Sequence, residues 1–252
     1  MGSIPMNRVM ERLDRLVAAD DSAGARRHLL YWLEEARLSG DERAMLTFCN
    51  ELMGQYRMAG NAEEAIRSAE NALSLVEKLG LENTVSAGTV HVNCGTVYTA
   101  FGRPSDAMAQ YRKAEEIFRQ QLASPDARMG SLYNNMASCL AALGEYAEAE
   151  KSYAKALSVM EAIPGSEPEQ AITMLNLADL LRAAYGLAEA CERIDDCVQK
   201  AYDLLEKEDV PRDANYAQTC GKCAPVFEFY GWFVYATELR KRAAWIYSRE
   251  AK

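Results

Sequence analysis

The chain has 252 residues, of which 49% are apolar and 26% charged, with few glycines (15) and prolines (7). This composition supports a buried core along the chain and excludes a largely disordered protein. The formal net charge of −9 has the wrong sign for general attraction to phosphate backbones or anionic lipid, so we expect no nucleic-acid or membrane partner.

Targeting signals are lacking in the printed sequence. No apolar run approaches the roughly 18 residues of a membrane span. The opening MGSIPM has neither the charged-then-apolar build of a signal peptide nor the Ser or Thr of a myristoylation site. The seven cysteines are an odd number, which predicts reduced thiols. We therefore expect a cytoplasmic protein.

Taken in chain order, the predicted elements repeat. Four segments, at 59–73, 101–115, 143–157 and 185–199, carry a tight turn followed by an alanine-bearing helix, and a fifth helix continues the register. The marker alanine of each segment recurs at intervals of 42, 42, 41 and 46 residues, at Ala65, Ala107, Ala149, Ala190 and Ala236. A small residue follows seven positions later, at Ala72, Ala114, Ala156, Cys197 and Ala243. Small side chains at a fixed register let two helices approach closely, so each repeat is predicted to be a helix, a turn and a second helix.

The repeat resembles the tetratricopeptide family, whose basic unit has 34 residues. The longer period, and the segments LYNNMA (132–137) and LGEYAEA (143–149), are similar to the kinesin-light-chain subgroup. The resemblance implies an all-α fold, a right-handed α-solenoid (superhelix) of antiparallel helical hairpins that forms a single domain over residues 1–252. The expected parts are a divergent helix pair at 5–40 and five repeats, at 42–82, 84–124, 127–164, 168–208 and 213–250.

The pattern weakens toward both ends. The first pair has Ala25 at the marker position, but its turn reads Asp20-Asp21-Ser22 and contains no glycine. Pro225 falls inside the first helix of the last repeat, where its missing N–H and its ring are expected to kink the helix.

Residues that carry chemistry are few. His28 is expected on an outer helix, and His91 falls at an inward apolar register, which favours a packed histidine. Cys220 and Cys223 form a C-x-x-C, a spacing that elsewhere binds zinc or forms a redox dithiol. No second pair with metal-ligand spacing exists, and the same registers hold inward cysteines in earlier repeats, so small buried side chains are favoured.

The sequence also lacks the common nucleotide-binding, metalloprotease and hydrolase motifs. We therefore predict no catalytic residue, no metal site and no cofactor, and hence that the protein is not an enzyme. An enzyme acting through its paired thiols remains the alternative.

One register carries polar residues that a packed core does not explain. It lies fourteen positions before each marker alanine and holds Glu51, Asn93, Asn135, Asn176 and Lys222. In the divergent pair, the same register falls on Glu11. Asparagine is a mediocre helix former, so three at one register require a reason. A carboxamide offers both a donor and an acceptor, which suits the N–H and C=O groups of an extended peptide.

The resemblance gives this register a role. In proteins that the chain resembles, including kinesin light chains and the superhelical domain of O-linked N-acetylglucosamine transferase, such an asparagine row lines the concave surface and holds peptide backbones. By resemblance, Asn93, Asn135 and Asn176 take that role, and the whole row is predicted to lie in a peptide-binding groove. The flanking residues predicted for the same groove are Asn50, Asn134, Arg57, Arg182, Asp179, Thr96 and Ser138.

Two interpretations of the row stay open. Its amides could bind a protein or peptide partner, or they could bond to neighbouring first helices and only stabilise the superhelix. A clamp for a C-terminal carboxylate is disfavoured, because the position three residues after the row holds no Lys, Arg or Asn.

An aromatic segment marks the last repeat. Residues 226–235 contain six aromatic side chains, which suit either an anchor pocket for apolar side chains or a bulky plug. No polar capping helix follows in the sequence, so a homo-oligomer through the C-terminal helix, with Trp245 and Tyr247, is also possible. The leading prediction is a non-catalytic adaptor. The alternatives are a structural, self-associating solenoid and a regulatory subunit of a larger assembly.

Overall fold

The computed structural model describes residues 4–19 and 21–250. Within that part, the chain forms twelve α-helices and no strand. The expectations on the first three residues, and Asp20 of the first predicted turn, lie outside the described residues. The chain divides into two compact units, Met1–Leu122 and Ala123–Lys252.

The first unit contains three helical hairpins. Its helices are α1 (Met6–Ala18), α2 (Ser22–Ser39), α3 (Glu42–Met58), α4 (Ala62–Lys78), α5 (Val85–Ala100) and α6 (Pro104–Gln121). Each odd-numbered helix packs on the helix that follows it, and α3 also packs on α5. We call the odd-numbered members first helices and the even-numbered members second helices.

Small residues set the spacing within these hairpins. The two alanines of each marker register, Ala65 with Ala72 and Ala107 with Ala114, are fully buried. Gly88 of α5 faces the second helix of its own hairpin, where an added Cβ would lie 2.4 Å from the ring of Phe118. Since real Cβ atoms do not approach so closely, any side chain at Gly88 would force the Phe118 ring to shift, and glycine lets α5 and α6 pack without that strain.

The divergent first pair begins its second helix with a side-chain cap. Ala25 is buried at the marker position of α2. The carboxylate of Asp21 accepts a hydrogen bond from the backbone N–H of Gly24 at 2.7 Å and so caps the helix. Asn61, at the same distance before Ala65, caps α4 in the same way by accepting from the backbone N–H of Glu64 at 3.3 Å, so the first pair keeps its cap without a turn glycine.

The second unit also contains three hairpins. Its helices are α7 (Ala127–Ala142), α8 (Tyr146–Glu161), α9 (Glu167–Tyr185), α10 (Cys191–Leu205), α11 (Ala214–Phe229) and α12 (Phe233–Glu250). First helix α9 packs on both α7 and α11. Pro225 lies inside α11, but the helix continues to Phe229. Pro225 and Gly221, whose carbonyl would receive the missing hydrogen bond, are both exposed to solvent.

One second helix begins later than the register predicts. The other marker alanines after the divergent pair lie in the first turn of their helices, whereas Ala190 precedes α10. Gly186 has φ 81° and ψ 160°, outside the left-handed helical region, and residues 187–190 form turns and a bend instead of a helical turn. Ala190 nevertheless stays buried, so the register describes its packing but not its secondary structure.

The structure confirms an all-α fold of antiparallel helical hairpins with closely packed small residues. The limits of the repeats and the single-domain range stay predictions. Among the described residues, none of the helices combines the length and the apolar character needed to cross a bilayer.

Candidate functional site

The first helices of the first unit carry a pair of linked carboxamides. Asn93 Nδ2 on α5 donates a hydrogen bond to Asn50 Oδ1 on α3 at 2.9 Å. Both side chains are half-buried. We call this the first carboxamide pair. It joins a member of the predicted row to a residue predicted to flank it, and it links two neighbouring first helices.

Glu51 adds a carboxylate beside this pair. Burial raises its pKa, a hydrogen bond with the Asn50 side chain lowers it, and the charge of Asp14 on α1 raises it; the net result is a raised pKa. No ion pair within the described residues includes Glu51. The α3 surface therefore presents a partly desolvated carboxylate that no cation neutralises.

A small cleft lies at this position, with a volume of about 190 Å³. Its lining includes five predicted groove residues: Asn50, Glu51, Arg57, Asn93 and Thr96. The cleft is also lined by Gly54, where an added Cβ would meet no atom within 4 Å. The structure thus brings the predicted groove residues of the first unit together around one opening.

The second unit repeats the carboxamide arrangement. Asn176 Nδ2 on α9 donates to Asn134 Oδ1 on α7 at 3.2 Å, and we call this the second carboxamide pair. Asn135, the row member on α7, is half-buried beside it. Ser138 shares a hydrogen bond of 3.0 Å with the hydroxyl of Tyr153, which anchors it to the second helix of its own hairpin.

Two more predicted groove residues of this unit contact the aromatic segment. The hydroxyl of Tyr230 donates to Asp179 Oδ1 at 2.8 Å. The Arg182 guanidinium lies 5.1 Å from the ring centre of Phe229 and 3.7 Å from Asp179 Oδ1. These contacts join the C-terminal end of α9 to the end of α11. Lys222 is exposed, and its ammonium group donates to Gln218 of its own helix.

The histidines serve packing. His91 is buried, and its Nδ1 lies 2.8 Å from Gln110 Oε1 of the adjacent second helix. Burial lowers the pKa of His91 and so favours its neutral form. His28 lies on α2, with Nε2 2.9 Å from the carbonyl oxygen of Val9. The packed-histidine prediction for His91 is confirmed.

The C-x-x-C cysteines are core residues. Cys220 and Cys223 are almost completely buried, and burial raises the pKa of both thiols, that of Cys223 to about 12. A thiol with a raised pKa is a poor nucleophile and a poor metal ligand at neutral pH. No cluster of three or more potential metal ligands occurs within the described residues. The inward register predicted for these cysteines is confirmed.

The aromatic segment divides into a buried and an exposed part. Phe227 and Tyr235 are buried, with ring centres 4.9 Å apart. By contrast, Phe229 and Phe233 are exposed by 61% and 63%. The buried rings fill the α11–α12 hairpin as the predicted plug would, while the exposed rings are available for contacts.

A polar network that sequence reasoning missed ties this hairpin to the end of α10. Arg242 of α12 donates to Glu206 Oε1 at 2.5 Å and to the Tyr216 hydroxyl at 2.8 Å. The Tyr235 hydroxyl donates to the same carboxylate at 2.6 Å. Burial raises the pKa of Glu206, but the bonds from Arg242 and Tyr235 outweigh it and the net pKa is lowered. No repeat register marks these residues, because each occurs in one hairpin only.

Comparison with known proteins identifies the family to which the repeat is similar. A family model described as tetratricopeptide repeat matches residues 47–120 and 128–207, together more than half of the chain. No curated protein matches the sequence.

Three solved structures share the fold at low sequence identity. BtubC (BKLC) from P. vanneervenii has a TM-score of 0.58 at 18% identity, covering 81% of this chain and 91% of its own. A putative kinesin light chain from Podospora anserina, with nearly identical TPR-like repeats, has a TM-score of 0.55 at 17% identity. The match covers 82% of this chain and 96% of the kinesin light chain structure. A Rap protein complexed with Competence and Sporulation Factor has a TM-score of 0.57 at 18% identity. The match covers 95% of this chain and 74% of the Rap protein chain.

Proposed function

The chain belongs to the tetratricopeptide repeat family, and on that premise we propose that it is a non-catalytic adaptor that binds a segment of a partner protein on its first helices. The bound segment is an extended peptide or a helix. The observation that carries this proposal is the carboxamide pair, which occurs between neighbouring first helices in both units.

The chemistry of the pair suits a peptide backbone. Within each pair, one N–H and one carbonyl oxygen form the internal hydrogen bond. Each pair keeps further N–H groups and a second carbonyl oxygen that can bind a ligand. A peptide backbone presents one N–H and one C=O per residue. The internal bond also restricts both side chains before a ligand arrives, so less conformational entropy is lost on binding. The two interpretations of the asparagine row are therefore compatible.

The charges near the pairs favour a polar partner of mixed sign. The first unit offers Glu51 and Arg57 in one cleft, and the second unit offers Asp179 and Arg182 on α9. The Rap protein that shares this fold is complexed with Competence and Sporulation Factor, so a ligand-bound member of the fold exists. We also propose that the protein acts in the cytoplasm, where its buried thiols stay reduced.

Peptide display on the full chain, followed by calorimetry, tests the proposal. A selected peptide should bind the Asn93→Ala, Asn176→Ala double variant, which removes one member of each carboxamide pair, about tenfold more weakly, since about one backbone hydrogen bond is lost at the pair that holds the peptide. Asn71→Ala, which removes an exposed carboxamide from second helix α4, is the matched control and should bind normally. Unchanged affinity in the double variant, with its circular dichroism preserved, would sink the proposal.

Self-association is the second candidate function, and the exposed apolar residues of the last hairpin support it. Val234 is 84% exposed and Trp245 is 56% exposed, both on α12, and large exposed apolar side chains favour protein contacts. Sedimentation over a wide concentration range separates the two candidates. A monomer at high concentration would count against self-association.

A further inference from the structure

The first carboxamide pair stands between two clefts on α3 and α5. The larger, of about 530 Å³, is lined by the N-terminal halves of these helices and the loop before α5. The smaller is the cleft of about 190 Å³ at the C-terminal halves. Asn50 borders both. A peptide held by the pair would therefore place side chains into a cleft on either side.

The larger cleft suits an aliphatic side chain. Leu46 and Val90 are buried in its wall. Three threonines also line it, and each hydroxyl already donates to a backbone carbonyl of its own segment: Thr47 at 3.2 Å, Thr84 at 2.7 Å and Thr89 at 3.2 Å. With these donors occupied, the lining offers chiefly methyl groups. Its one charged residue, Arg43, is exposed.

The smaller cleft suits a single basic side chain. Glu51 lies half-buried in it, and no cation among residues 4–19 and 21–250 forms an ion pair with it. Asp14 of α1 adds a second negative charge nearby. Arg57 also lines the cleft, but it is exposed and lies six residues further along α3, about 9 Å from Glu51 along the helix axis. A Lys or Arg from a partner would supply the cation that Glu51 lacks.

The spacing of the clefts sets the spacing of the two side chains. Their centres are about seven residues apart along the helices, which is about 10 Å. An extended or polyproline II chain covers that distance in three residues, at about 3.1 to 3.4 Å each.

We propose that this surface recognises a peptide carrying an aliphatic side chain and a Lys or Arg side chain three residues apart, with the first carboxamide pair holding the backbone between them. The inference rests on the proposed function and names the ligand class of its first-unit site.

Calorimetry on the full chain with designed peptides tests the inference. The probe is an acetylated and amidated ten-residue Ser/Ala peptide with Leu and Lys three residues apart, and its partner probe carries Glu in place of Lys. We expect the Lys peptide to bind about tenfold tighter than the Glu peptide, and Glu51→Gln to remove most of that difference. Glu51→Lys should reverse the preference. Glu70→Gln, an exposed carboxylate on second helix α4, should leave the preference unchanged.

Several results would overturn the inference. Equal affinity of the wild-type chain for the two peptides would do so, as would a preference that survives Glu51→Gln, or no binding of the Lys peptide at millimolar concentration. If Asn93→Ala weakens the binding of a display-selected peptide and Glu51→Gln does not, the inference is overturned but the proposed function stands. If neither variant weakens that peptide, both fail at this site.

Discussion

At the scale of single residues, asparagine side chains link neighbouring first helices in both units through hydrogen bonds between their amides. The register located Asn93 and Asn176 because a helix-disfavoured residue recurred there. It did not indicate that each would bond to the residue one position earlier in the preceding first helix, Asn50 or Asn134. That offset of one residue depends on how far adjacent first helices are shifted along their axes. The repeat period in the sequence gives no information about this shift.

The glycines of α5 give a stability prediction. Gly88→Ala should destabilise the protein by about 1–2 kcal/mol, because the added methyl group overlaps the ring of Phe118 and overpacking outweighs the gain in helix propensity. Gly54→Ala on α3 is the matched control, since its Cβ would meet no atom within 4 Å. It should stabilise the protein by about 0.5–1 kcal/mol. Urea unfolding measures both, and a stabilised Gly88→Ala would contradict the packing described for α5 and α6.

The cysteines give a reactivity prediction. Cys191 is exposed and the other six are buried. A thiol reagent at pH 8 should therefore modify one thiol of the native protein quickly and the remainder only on unfolding. Mass spectrometry should place the fast adduct on Cys191, and Cys191→Ser should abolish it. Rapid modification of Cys220 or Cys223 would instead revive the alternative of a thiol enzyme.

At the scale of elements, the sequence predicted helices well where small residues repeat and less well where a turn departs from the pattern. The register placed Ala190 inside a helix, but α10 begins only at Cys191. The reason is local: Gly186 leaves the left-handed helical region, so residues 187–190 form turns and a bend before the helix begins. The network of Glu206 and Arg242 was also beyond prediction, because its members come from distant parts of the sequence and occur in one hairpin only.

The Glu206 network predicts a pH dependence. The pKa of Glu206 is lowered from its usual 4.5, so its ionised form binds Arg242 and Tyr235 in the folded state. This stability is present above the unfolded-state pKa and is lost as the pH falls through the folded-state pKa. Glu206→Gln should cost about 1–2 kcal/mol at pH 7, and the difference from wild type should shrink below pH 4.5.

Denaturation of the two proteins between pH 7 and pH 3 measures this effect. Glu238→Gln removes a more exposed carboxylate from the same arginine and should cost only a few tenths of a kcal/mol. A constant difference between wild type and Glu206→Gln across the pH range would contradict the proposed ionisation.

At the scale of the whole molecule, periodicity was enough to predict the fold class and the family. Marker alanines about every 42 residues predicted helical hairpins, and the family match confirms them. The division into two compact units was not predicted, because the same small-residue register runs through both. Each unit carries its own carboxamide pair, so each can be tested by itself.

Side-chain amide signals in a nitrogen-15 NMR spectrum test the central claim most directly. On titration with a display-selected peptide, we predict that the signals of at least one carboxamide pair, Asn50 with Asn93 or Asn134 with Asn176, shift in proportion to the bound fraction. The signal of Asn71, on second helix α4, should stay in place. Saturating peptide binding that moves second-helix signals and leaves all four carboxamides unchanged would contradict the account.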